Sequence, residues 1–132
     1  MKIGLYDVDS KIPNLALMKL SAWHKKQGDE VELYFPLKKY DKIYASQIFT
    51  WSKPQYKFNE LGGSGSEKWE TVLPNGIEHI YPDYLLYHCE YAMGFTSRGC
   101  IRNCPFCIVR KKEGLIHATN DIYEFWNGQK KI

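Results

Sequence analysis

No apolar run in this chain of 132 residues approaches the length of about 20 that crosses a bilayer, so no membrane partner is expected. The amino terminus, MKIGLYDVDS, lacks the layout of a secretory leader, because Asp7 and Asp9 follow almost at once. There is no internal repeat and no low-complexity tract, which excludes solenoids and linker-like segments. Charge of one sign is also scarce. Eighteen Lys and Arg face fifteen Asp and Glu, a net charge of +3, and so small a surplus does not argue for nucleic acid. The runs Arg110-Lys111-Lys112 and Lys130-Lys131 read as solvated surface rather than phosphate contacts. Cysteine is sparse too, at four residues. Without a leader the expected compartment is the reducing cytoplasm, where clustered thiols read as a metal or redox site rather than as disulfides.

What is present suits a small globular unit, or a piece of a larger one. Apolar residues make up 44% and charged residues 25%, and ten tyrosines supply bulky surface for a core. Lys2 to Tyr6 reads as a short buried strand. Asn14, after Pro13, is placed to cap a helix from Leu15 to Gln27. Leu17, Met18 and Leu20 are expected on its buried side and Lys19, Lys25 and Lys26 away from it. Gly28 suits the left-handed position after a helix end. Glu30 to Tyr34 alternates polar and apolar residues, the mark of a half-buried strand. Strand, helix, strand implies a parallel pair. Lys42 to Ser46 and Ile48 to Trp51 read as further strands, 61–66 as a glycine-rich connection, and Asp121 to Trp126 as a last helix capped by Asn120. Asp7 and Asp9 read as a solvated loop. Composition shifts near Met93 and Gly94.

The chemistry is concentrated in GFTSRGCIRNCPFCIVRKKEG, where Cys100, Cys104 and Cys107 are spaced C-x3-C-x2-C. Three thiolates this close suit one soft centre: zinc, copper(I) or iron–sulfur. They are one ligand short of a closed four-cysteine site, as a reactive centre requires. Arg98, Arg102 and Arg110 flank the loop with positive charge, Gly99 frees the backbone before Cys100, and Pro105 stiffens the second turn. The alternative is a non-enzymatic zinc-binding interaction module, with Cys89, His88 or His79 as fourth ligand. Structural zinc sites favour paired C-x2–4-C units, and this chain holds only one C-x2-C.

Cys100, Cys104, Phe106 and Cys107 match, position for position, the C-x3-C-x-aromatic-C run of the radical S-adenosylmethionine (radical SAM) superfamily, which this loop resembles. The upstream segments resemble members that carry an N-terminal Rossmann-like domain of the cobalamin-binding type. The resemblance implies an α/β fold: a small Rossmann-like parallel-sheet domain over 1–93, then over 94–132 the first βα unit of an incomplete radical SAM barrel. It implies that Cys100, Cys104 and Cys107 hold a [4Fe–4S] cluster and that Phe106 flanks the adenine of S-adenosylmethionine. It further implies that a complete protein cleaves that cofactor reductively to a 5′-deoxyadenosyl radical. No D-x-H-x-x-G run surrounds any histidine, so cobalamin bound that way is not expected. Only Cys89 lies outside the motif, which argues against the methylthio-transferring branch and its second cluster. A full barrel takes about 250 residues, whereas 25 follow Cys107. The chain is therefore expected to be a fragment, or to be completed by another chain or by self-association through unpaired strand edges. The substrate is not specified.

Overall fold

The first strand, β1 (Lys2–Asp7), is buried on both faces: Ile3 and Leu5 turn to one face and Gly4 and Tyr6 to the other. The computed structural model describes residues 1–66 and 73–132. In it β1 lies at the centre of a four-stranded parallel sheet with β2 (Glu30–Leu33), β3 (Lys42–Ser46) and β4 (Glu60–Gly62), in the order β2–β1–β3–β4. Leu5 is level with Leu33 on one side and Tyr44 on the other. The chain is thus an α/β protein with a parallel sheet, as expected.

One face of the sheet is covered by α1 (Leu15–Lys26). Asn14 caps it, its Oδ1 accepting from the Leu17 N–H at 3.3 Å while its Nδ2 donates to Ser46 Oγ at 2.9 Å. That second bond ties the start of the helix to the carboxyl end of β3. Gly28, at φ 89°, makes the left-handed turn beyond the last helical turn. Leu17 packs with Ile3 and Leu5. Met18, one step (about 100°) round the helix, packs instead with Tyr84 and Ala92. The helix is therefore buried on two sides, and full burial of side chains of this size contributes about 2 kcal/mol each.

That double burial corrects the expected facing of Lys19. Its ammonium is buried, donating to Glu78 O at 2.6 Å and pairing with Glu78 Oε1 at 3.3 Å, with both side chains 6% exposed. The short helix α2 (Asn75–Glu78) delivers Glu78 to it. Burial lowers the pKa of Lys19, and the Glu78 carboxylate opposes that shift.

Tyrosines cover the other face of the sheet. Tyr6, Tyr34 and Tyr56 form a cluster with ring centroids 5.4–5.7 Å apart, and Tyr40 joins through Tyr34 at 5.5 Å. A Cβ on Gly4 would stand 3.0 Å from the Tyr40 ring, so glycine leaves room for the ring to lie against β1.

Three local expectations are corrected. Residues 48–51 form a loop, not a strand: Asp9 Oδ1 and Oδ2 accept from the Ile48 and Phe49 N–H groups, each at 2.8 Å, and satisfy the backbone that a strand would have paired. The glycine-rich stretch begins inside β4, where Gly62 is level with Ser46. Near the carboxyl end, the helical segment is a single 3₁₀ turn, Ile122–Glu124, capped by Asp121 and not by Asn120.

After β4 the chain returns to the helix. Tyr84 Oη accepts from Met93 N–H and donates to Phe125 O, and Ala92 N–H donates to Lys131 O, so residues 84–93 and 125–131 pack together beside α1. No helix among the described residues is long and apolar enough to cross a membrane.

Candidate metal-binding loop

The cysteine loop is held between two short strands, β5 (Ser97–Arg98) and β6 (His117–Ala118), which pair antiparallel with Arg98 level with His117. Among the described residues β5 has no parallel neighbour. The short helix α3 (Val109–Glu113) follows the last cysteine and stops at Gly114, where φ is 79°. A strand–loop–helix order is therefore present around the cysteines, closed by an antiparallel ribbon.

Glu113 clamps the base of the loop. Its Oε1 pairs with Arg98 Nη1 at 3.1 Å and its Oε2 accepts from the Gly99 N–H at 3.1 Å. The Arg98 guanidinium also lies over the Phe95 ring, 4.1 Å from its centroid. It is thus committed to Glu113 and Phe95 rather than to a thiolate. Gly99 passes against the returning chain at φ 85°, where a Cβ would come within 2.4 Å of Leu115 O. Beside it the Cys100 N–H donates to Gly114 O at 3.1 Å. These contacts fix the loop ends. The clamp was not legible in the sequence, since Glu113 sits in a charged run that reads as solvent-facing.

Within the loop the cysteines divide two and one. The Cys107 N–H donates to Cys104 O at 3.1 Å, closing a β-turn with Pro105 at its second position, where the fixed proline φ is favoured. Cys100 is bound outside that turn, its Sγ accepting from the Arg102 N–H at 3.4 Å. All three are free, partly exposed thiols. Phe106 stands at the tip of the turn, 91% exposed. The Arg110 guanidinium reaches Ile101 O at 3.4 Å.

No group of three or more Cys, His, Asp or Glu among the described residues is arranged to hold a metal ion. The side chains suit a soft metal in kind and spacing, but the three thiols do not converge. Two of the other candidate ligands, Cys89 and His79, are engaged elsewhere. The Cys89 thiol donates to Tyr91 O at 3.2 Å within the second core, and His79 Nδ1 is paired with Glu124 at 3.1 Å.

An open groove of about 390 Å³ adjoins the loop at the carboxyl ends of β3 and β4. One wall is the Phe49–Trp51 pair, stacked at 4.8 Å with 22° between planes, and the other is Ile108 and Val109. Lys112 crosses the groove to the carbonyl of Ser64, so it is not merely a solvated lysine. Asp7, at the end of β1, accepts from Tyr87 Oη at 2.7 Å and from the Ser10 N–H at 2.9 Å. Burial pushes its carboxyl above the ordinary value, and those two bonds only partly offset it. Asp7 and Asp9 are thus structural acceptors rather than a solvated loop.

No family model matches the chain, and neither does any curated protein or solved structure.

Proposed function

We propose that residues 99–113 form a metal-binding loop of the radical SAM type, taking a [4Fe–4S] cluster on Cys100, Cys104 and Cys107 and, in a complete protein, S-adenosylmethionine. The observation that carries this reading is the C-x3-C-x-Phe-C spacing on a loop whose ends are fixed by Glu113 and whose last two cysteines already share a turn. The parallel sheet over 1–66 is consistent with a Rossmann-like domain, and the groove beside Ile108 lies where open α/β sheets take ligands. Loading would require the three thiolates to converge on one centre. Soft-metal sites of this kind gain binding energy as they fold around the ion.

The test is anaerobic reconstitution of the chain with iron and sulfide, followed by absorption and electron paramagnetic resonance spectra. A cluster signal lost in Cys100→Ala, Cys104→Ala and Cys107→Ala alike is the expected result. An unchanged iron content in Cys104→Ala refutes the reading. Stoichiometric zinc that is retained in air and lost in Cys89→Ser supports the zinc-module alternative instead.

A further inference from the structure

We propose that Cys104 and Cys107 are a dithiol–disulfide pair, and that their oxidation competes with metal for the same sulfurs. The second clause rests on the metal-binding reading above; the first does not. The geometry divides the trio. Cys104 and Cys107 close a β-turn, whose ends lie within about 7 Å by definition, and a disulfide spans Cα atoms about 4.4–6.8 Å apart. Cys100 is anchored by its own N–H to Gly114 O, and its sulfur accepts from the Arg102 N–H. No backbone turn bond links Cys100 to Cys104 among the described residues. Both residues of the pair are partly exposed, and neither is in a disulfide.

The oxidant is a small-molecule disulfide such as oxidised glutathione. One thiol of the pair attacks it, the glutathione S–S bond breaks, and one glutathione departs as a thiol. The second thiol then attacks the mixed disulfide, the Cys104–Cys107 bond forms, and the second glutathione departs. Two protein thiols are oxidised, one disulfide is reduced to two thiols, and the two protons leave on the glutathiones. A disulfide sulfur is no longer a thiolate ligand, so a loop oxidised in this way keeps only Cys100 for metal.

The sequence makes the test clean. Trypsin cleaves after Arg98, Arg102 and Arg110, which places Cys100 on Gly99–Arg102 and the pair together on Asn103–Arg110. The full metal-free chain is equilibrated in glutathione redox buffer, quenched in acid, alkylated and digested. Asn103–Arg110 lighter by two hydrogens and unalkylated, with Gly99–Arg102 alkylated, is the expected result. A cross-link joining the two peptides overturns the pairing, as do stable glutathione adducts on Cys104 and Cys107. Cys100→Ser should leave the disulfide intact, whereas Cys107→Ser should trap glutathione on Cys104; loss of the disulfide in Cys100→Ser overturns the proposal. Iron loading gives a separate readout. The pre-oxidised chain should lose iron uptake and regain it after reduction, and uptake unchanged by oxidation overturns the competition. If the reduced chain takes no iron yet forms the disulfide, the metal reading fails and the pair stands.

Discussion

Removing the Glu113 carboxylate should open the cysteine loop without unfolding the sheet. Glu113 makes two charge-assisted contacts at 3.1 Å, to Arg98 Nη1 and to the Gly99 N–H. Both side chains are shielded, at 11% exposure for Arg98 and 21% for Glu113. A hydrogen bond to a charged group contributes about 1.5–3 kcal/mol net. Water enters to replace part of what Glu113→Ala removes, so about 2 kcal/mol is the expected loss for the pair of contacts, or about 30-fold in the opening equilibrium. Glu113→Gln keeps one acceptor but no charge, and should cost about 1 kcal/mol, or about fivefold.

Amide hydrogen exchange reads this directly. The reporters are Cys100, whose N–H bonds Gly114 O, and Thr119, whose N–H bonds Thr96 O; the amides of β1 serve as the reference. The reporters should exchange faster in the order Gln, then Ala, while β1 stays as in the parent. Gly99→Ala should open the loop further than either, because its Cβ would lie 2.4 Å from Leu115 O at a φ that L residues avoid. Reporter rates within about threefold of the parent in Glu113→Ala would falsify the clamp. Equal acceleration in β1 would instead show that Glu113 supports the whole fold.

Two further predictions concern the buried polar groups. Lys19→Met strands the Glu78 carboxylate in a site where both side chains are 6% exposed, and should cost about 3 kcal/mol or more in urea unfolding. The double change with Glu78→Gln should recover part of that loss; a single-variant cost below about 1 kcal/mol refutes a buried pair. For Asp7 the folded carboxyl titrates above its unfolded value. The folded state therefore binds more protons between those two values, and stability falls as pH rises through that window. Asp7→Asn should remove this slope, so its stability relative to the parent should increase from acid pH toward neutrality. Parallel stability curves for the two proteins across that range contradict the burial argument.

The elements that formed as expected carry their own instructions. β1 and β3 are apolar runs of strand length, and α1 has an Asn cap at its start and glycine just beyond its end. Pairing that depends on distant side chains was not legible. Ile48 to Trp51 is as apolar as a strand, yet Asp9 and the Gln47 amide, which donates to Phe49 O and Ser52 O, take up its backbone groups. β4 hides in a glycine-rich stretch because its pairing comes from β3, not from its own residues. Tyr34 and Tyr40 cover a sheet face that composition alone could not assign.

The cysteine loop shows the same division. Sequence by itself determined the donor types, their C-x3-C-x2-C spacing and the Cys104–Cys107 turn, because a proline-bearing turn is a matter of a few adjacent dihedral angles. Tertiary structure alone decided how Cys100 is anchored. Its backbone is bound to Gly114 and its neighbour Gly99 to Glu113, partners brought there by the return of the chain through β6. Contacts between segments separated in sequence form only when the loop closes, and they fix the backbone at Gly99 and Cys100 in a way that the spacing alone does not specify.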